Sequence, residues 1–64
     1  MKRKDLLQYL TQNGCVFERE GKNHSLFYNP KTNKSATVPR HKEINNFTAG
    51  AICKDLCIPI IKIK

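Results

Sequence analysis

Two histidines, His24 and His41, are the side chains of this 64-residue sequence best suited to acid–base chemistry. Histidine is the only side chain whose unperturbed pKa, roughly 6.5, lets it take and give protons near neutral pH. His24 follows Gly21 by three residues and opens the apolar, aromatic run 24–28. A side chain at the start of a strand, next to a turn, can be held firmly and still reach solvent. The pattern makes His24 the candidate catalytic residue and His41 a secondary candidate.

The charge balance indicates what such a histidine would act on. The sequence holds 12 Lys and Arg against 5 Asp and Glu, so its formal net charge is +7. A field of that strength on so small a body favours polyanions: nucleic acid first, then an anionic membrane or an acidic protein. Solubility alone is the plainer explanation, because small domains commonly carry a net charge of magnitude about 2 to 8.

Metal-free cleavage of RNA would use these residue types. It needs a base for the 2′-hydroxyl, an acid for the leaving 5′-oxygen and cations for the charged phosphorane. Tyr28 is expected on the same strand face as His24, where it could stack a base. Taken alone, these residues indicate a basic α+β domain that binds RNA. The cations nearest to the histidines in sequence are Arg19, Lys22, Arg40 and Lys42.

The cysteines and the apolar runs argue against several other classes. Cys15, Cys53 and Cys57 are odd in number and form no CxxC pair, and with the histidines they match no zinc spacing. We expect free thiols that serve as buried small hydrophobes, in a reducing cytoplasm. No signal peptide is recognisable, and the longest apolar run is too short to span a bilayer. We therefore expect no metal, no small-molecule cofactor and no membrane partner.

The periodicity of apolar residues predicts one α+β domain over residues 1–64. The order is α-β-β-β-α, with a three-stranded antiparallel sheet and both helices on one of its faces. The apolar tail 58–64 is expected to add an edge strand or to offer a segment to a partner. The expected elements are a helix over 2–13 ended by Gly14, strands over 15–20, 24–29 and 35–38, and a helix that starts near Asn45 or Asn46 and ends at or before Ile58.

Some local expectations are more specific. The connection 21–23 should be a tight hairpin whose Gly and Asn can take positive φ. Gly50 should mark a close contact of the second helix. Cys53 and Cys57, four residues apart, should share a face of that helix. Its apolar stripe should consist of Phe47, Ala51, Ile52 and Leu56.

Several short motifs recur here in the order seen in one protein family. They are Asn13-Gly14-Cys15, then Arg19, then Gly21-Lys22-Asn23-His24 with Phe27 as the following aromatic, then Val38-Pro39-Arg40-His41, and finally Thr48 with Ile52. From Lys4 to Ile58 the sequence resembles the HicA family of toxins, the RNA-cleaving half of HicA–HicB toxin–antitoxin pairs. It departs from the Gly-Ser-His motif of that family, because two residues separate Gly21 from His24 and Asn23 replaces the Ser.

The resemblance implies a fold like that of double-stranded RNA-binding domains. It implies metal-independent endonuclease activity on mRNA, with His24 as the catalytic residue. It also implies a HicB-like antitoxin that binds over the active surface and blocks it. The residues expected to contact RNA are Arg19, Lys22, Asn23, Tyr28, Arg40, His41 and Lys42.

Two alternatives share the fold and the charge. One is a non-catalytic RNA-binding module of the double-stranded RNA-binding type, which needs no histidine. The other is a decayed toxin that works only through its antitoxin, held by the sheet or by the apolar run 60–63.

Overall fold

The computed structural model describes residues 1–61 and has the predicted order of elements. The strands pair antiparallel in the order β1-β2-β3. The α-β-β-β-α fold is therefore confirmed, and the predicted tail residues 62–64 lie outside the described part. The elements are helix α1 (Arg3–Gln12), strands β1 (Val16–Glu20), β2 (His24–Asn29) and β3 (Lys34–Pro39), and helix α2 (Asn46–Asp55).

Both helices cover the same face of the sheet. Alternation along β2 buries Ser25, Phe27 and Asn29 and leaves His24 exposed on the opposite, open face. The α1 side chain of Arg3 donates from Nη2 to the Ser25 hydroxyl at 2.7 Å. The Asn29 amide donates from Nδ2 to the carbonyl oxygen of the α2 C-cap residue at 2.7 Å. The predicted placement of the two helices is therefore confirmed.

Local signals explain how α1 forms and ends. Leu6 and Leu10 are one turn apart and fully buried, so they form the stripe that docks α1 on the sheet. The chain leaves the helix at Gly14, whose φ of +87° is readily available only to glycine. Cys15, 1% exposed, then enters the core directly ahead of β1.

Helix α2 begins as predicted but faces the core differently. The Asn45 side chain accepts a hydrogen bond from the Phe47 backbone N–H at 2.7 Å, which caps the helix. Phe47 itself is 85% exposed and Ala51 is also exposed, so the predicted stripe is wrong at both positions. The residues of α2 and its C-cap that face the core are spaced i, i+3, i+4 and i+7. The buried residues at that spacing are Ala49, Ile52, Cys53 and Leu56.

Helix α2 ends at or before Ile58, as predicted, but two other predictions for this region are wrong. Cys57 adopts a left-handed backbone with φ of 56°, so the helix stops at Asp55, before Pro59 can act. Cys57 is exposed and lies outside the helix, whereas Cys53 is fully buried, so the two do not share a helix face. An ideal Cβ on Gly50 would lie 3.6 Å from Ile60 Cγ2, an ordinary contact and not the predicted close one.

The described part of the tail packs back on the helices. Ile58 is buried, and the Tyr9 hydroxyl of α1 donates to the Pro59 carbonyl oxygen at 2.7 Å. Residues 58–61 form no strand, so the predicted edge strand is absent from the part of the tail that the structure describes.

Candidate active site

The turn between β1 and β2 places His24 at the edge of the open sheet face. The Gly21 backbone N–H donates to the His24 carbonyl oxygen at 2.7 Å and closes the turn. Neither Gly21 nor Asn23 has a positive φ, so that expectation is wrong. Glycine suits position 21 for reasons of space instead, because an ideal Cβ there would lie 3.1 Å from the same carbonyl oxygen, a tight contact that a small shift of the turn would have to relieve.

The end of β3 brings the second histidine to the first. In the antiparallel register, His24 lies opposite Pro39, the last residue of β3. The chain therefore leaves the sheet beside His24, and the two residues that follow Pro39 are Arg40 and His41. Both histidines line one open groove of about 570 Å³, which we call the histidine groove; its lining is completed by Lys22, Asn23 and Arg40.

The remaining predicted site residues lie outside the histidine groove. A β-bulge between Phe17 and Arg19 places Arg19 opposite Leu26, on the open face of the sheet. Tyr28 is four positions beyond His24, about 13 Å along the strand at the usual rise, and its hydroxyl donates to the Asn33 side chain. Lys42 lines a neighbouring groove.

That neighbouring groove, which we call the N-terminal groove, lies between the start of α1 and the segment after β3. Its volume is about 620 Å³. Arg40 lines both grooves, so the two adjoin at its side chain. The residues along the N-terminal groove are Lys2, Arg3, Lys4, Leu7, Arg40, Lys42 and Glu43.

A hydrogen-bonded network lies beneath the histidine groove, on the helix side of the sheet. The Ser25 hydroxyl, in a residue only 2% exposed, accepts from Arg3 Nη2 and donates to Glu20 Oε1 at 2.5 Å. The other Glu20 oxygen, Oε2, lies 3.7 Å from Arg40 Nε. Glu20 thus links the buried hydroxyl to a side chain of the groove.

Arg3, Ser25 and Glu20 were not among the predicted site residues. A signal for Ser25 existed, because alternation along β2 places its hydroxyl on the face with Phe27, and a buried hydroxyl needs partners. The identity of those partners depends on the packing of α1 and on the β1–β2 register.

The thiols lie away from both grooves. Cys15 and Cys53 are buried, as predicted, whereas Cys57 is exposed, so its predicted burial is wrong. Burial raises the pKa of the Cys15 thiol, and the charge of Cys53 raises it further.

Within residues 1–61, no three His, Cys, Asp or Glu side chains are grouped to hold a metal ion. In that same part of the chain no helix has the length and apolarity needed to cross a membrane.

The fold and the groove define a small basic α+β protein that presents two histidines beside cationic side chains. A family model described as the HicA toxin of bacterial toxin–antitoxin matches residues 3–58. The chain belongs to the HicA toxin family, and its role is that of a toxin in a toxin–antitoxin system, which implies an antitoxin partner. A search of curated proteins and a search of solved structures each found no match.

Proposed function

We propose that this toxin is a metal-independent RNA endonuclease that cleaves mRNA, with His24 as a general acid or base. The observation that carries the proposal is the histidine groove, where His24 and His41 meet Lys22, Asn23 and Arg40. All five residues are exposed, so a nucleic-acid strand can reach them. Family membership supports the toxin role that such an activity would serve.

The chemistry needs two proton transfers and charge stabilisation. One imidazole takes the proton of the ribose 2′-hydroxyl while that oxygen bonds to phosphorus. The bond from phosphorus to the 5′-oxygen breaks, and the leaving oxygen takes a proton from an acid. We assign one transfer to His24 and the other to His41, with the Arg40 guanidinium beside the phosphorane. The products would be a 2′,3′-cyclic phosphate and a 5′-hydroxyl.

We further propose that the antitoxin is HicB-like and covers the histidine groove. The support is family membership together with the position of the groove, which is open and made of exposed side chains. A protein bound there would shield both histidines from RNA.

A cleavage assay tests the proposal directly. Purified wild type, His24→Ala and His41→Ala are incubated with a labelled single-stranded RNA in the presence of EDTA. We expect His24→Ala to cleave about 10²- to 10⁴-fold more slowly, the usual contribution of a general acid or base. Lys31→Ala, an exposed change in the β2–β3 turn, is the control and should cleave normally.

Two results would contradict the proposal. Equal cleavage by wild type and His24→Ala would remove the histidine from the mechanism. Binding of RNA by both, with strong salt dependence and no cleavage of any RNA, would identify a non-catalytic RNA-binding module instead.

A further inference from the structure

We propose that the N-terminal groove binds the backbone phosphates of the RNA strand next to the nucleotide held in the histidine groove. This inference rests on the proposed function and adds to it a path for the substrate. The groove would make the protein prefer an extended strand to a minimal substrate. Its contacts would be independent of base identity, because they are made to phosphates.

The N-terminal groove carries an excess of positive charge. Among the described residues, its walls carry five basic side chains and one carboxylate. That carboxylate, Glu43, has its Oε2 3.3 Å from the amino group of Met1, which offsets its charge. Within residues 1–61, the Arg3 guanidinium donates to two neutral groups, the Pro39 carbonyl oxygen at 2.9 Å and the Ser25 hydroxyl, and the Glu20 carboxylate lies beyond that hydroxyl. A concave surface with this excess of cations focuses positive potential on an anionic ligand.

The basic residues are held in place by the backbone and do not sit on a frayed end. Met1 and Ile44 exchange two hydrogen bonds: Ile44 N–H to the Met1 carbonyl oxygen at 2.8 Å, and the Met1 amino group to the Ile44 carbonyl oxygen at 3.0 Å. The Arg3 N–H donates to the Lys42 carbonyl oxygen at 2.9 Å. These bonds fix Lys2 beside the segment after β3. Because this backbone is already ordered, only the side chains lose conformational entropy when a phosphate binds.

The first turn of α1 supports a role for the cations outside the helix. Lys2 and Lys4 lie where the positive end of the helix dipole repels them, and the Lys2 N-cap makes no side-chain capping bond. The same dipole that repels the lysines attracts an anion placed between them. Helix α2, by contrast, is capped by Asn45 and has no lysine in its first turn.

Arg40 lies where the two grooves adjoin, so one RNA strand could contact both of them. It lines both, and its pairing with Glu20 is loose at 3.7 Å with both side chains about half exposed. Such a pair contributes little and exchanges readily. Arg40 is therefore free to grip a phosphate at the junction, in the bidentate way that guanidinium groups favour.

The test compares two charge-matched triple variants in the non-cleaving His24→Ala background. One removes the groove lysines (Lys2→Gln, Lys4→Gln, Lys42→Gln). The other removes three exposed lysines that line neither groove (Lys31→Gln, Lys34→Gln, Lys54→Gln). Binding of a labelled 12-nucleotide RNA is measured by fluorescence anisotropy at several salt concentrations, and circular dichroism checks that both variants fold.

We expect the groove variant to bind at least about tenfold more weakly than the control variant. Each lost phosphate contact should reduce the slope of log K against log salt by about 0.7, so three contacts should reduce it by about 2. Equal losses in both variants would overturn the proposal, because charge alone would then explain binding. Poly-glutamate serves as a probe for an acidic protein partner. If the groove variant bound RNA as well as the control variant but no longer bound poly-glutamate, the proposal would be overturned in favour of such a partner.

A cleavage arm separates this inference from the proposed function. With His24 restored, the groove variant should lose more kcat/KM on the 12-nucleotide RNA than on a trinucleotide. If wild type cleaves neither RNA, the proposed function fails while the anisotropy result still decides the groove. Equal loss on both substrates would contradict an extended binding path.

Discussion

The His24 carbonyl oxygen accepts a hydrogen bond from the Gly21 backbone N–H at 2.7 Å, so the residue before the turn directly supports the candidate catalytic histidine. An ideal Cβ on Gly21 would meet that oxygen at 3.1 Å. We expect Gly21→Ala to shift the turn by a few tenths of an ångström and to slow RNA cleavage several-fold. Its free energy of unfolding should fall by no more than about 1 kcal/mol, since the turn is exposed.

Cleavage kinetics and urea unfolding of Gly21→Ala separate the two effects. A large loss of stability with proportionate loss of cleavage would mean that the glycine serves the fold and not the placement of His24.

Substitution of Gly50 by alanine should have the opposite effect on stability to substitution of Gly21. It lies inside α2 with ordinary φ, and an added Cβ would make a normal 3.6 Å contact with Ile60 Cγ2. Gly50→Ala should therefore stabilise the protein, by up to about 1 kcal/mol, because alanine loses less conformational freedom in a helix. Thermal unfolding followed by circular dichroism measures the change. A lower melting temperature would show that the tail residues cannot accommodate the methyl group.

The buried Ser25 hydroxyl joins α1 to β1, and its removal should be felt in stability. Ser25→Ala leaves Arg3 Nη2 and Glu20 Oε1 without their shared partner, so we expect a loss of about 1 to 2 kcal/mol. Ser35→Ala is the matched control, since Ser35 is exposed and should change stability by less than about 0.5 kcal/mol. Urea unfolding curves compare the two. Equal effects would mean that the network adds no net stability.

Asn29 tests the packing of α2 on the sheet. Its amide donates to the Leu56 carbonyl oxygen, and its Oδ1 accepts from the Lys31 backbone N–H at 3.0 Å. Asn29→Ala should cost about 2 kcal/mol, because it leaves a carbonyl at the end of α2 without this buried donor. Lys31→Ala, at an exposed position of the same turn, should cost less. The reverse order of the two losses would contradict the assigned role of the Asn29 amide.

Most of the fold follows from short-range signals in the sequence. The alternation in 24–29 predicted strand β2 with its observed limits, and Gly14 predicted the end of α1. Asn45 and Asn46 were both predicted as possible caps of α2, and Asn45 is the one that caps it. Each of these depends on neighbours within a few positions. The exposure of Phe47 did not follow, because the face of α2 that meets the sheet depends on how the helix docks.

In the candidate site too, some features follow from the local sequence and others depend on long-range packing. His24 could be singled out from its own strand and turn. Its meeting with His41 in one groove depends on the register that sets His24 opposite Pro39, and the bond from Arg3 to Ser25 joins residues 22 positions apart. Such long-range placement depends on the packed sheet and helices, which local patterns do not encode. Glu20, whose side chain a β-bulge directs toward Ser25, was missed for the same reason.

The buried Cys15 thiol should make the free energy of unfolding depend on pH in the alkaline range. Burial raises the pKa of Cys15 above its ordinary value of 9.0. Below that pH the thiol is protonated in both the folded and the unfolded chain, so it adds no pH dependence. Above it, the unfolded chain loses the proton while the folded chain keeps it, so stability falls until the folded thiol also ionises.

Urea unfolding of wild type and Cys15→Ala between about pH 8 and about pH 10 measures this effect. We expect the stability of wild type to fall more steeply with rising pH than that of Cys15→Ala. In the same buffers, the exposed Cys57 should react with iodoacetamide well before the buried Cys15 and Cys53. Parallel pH curves for the two proteins would show that the Cys15 thiolate is as well solvated in the folded chain as in the unfolded one.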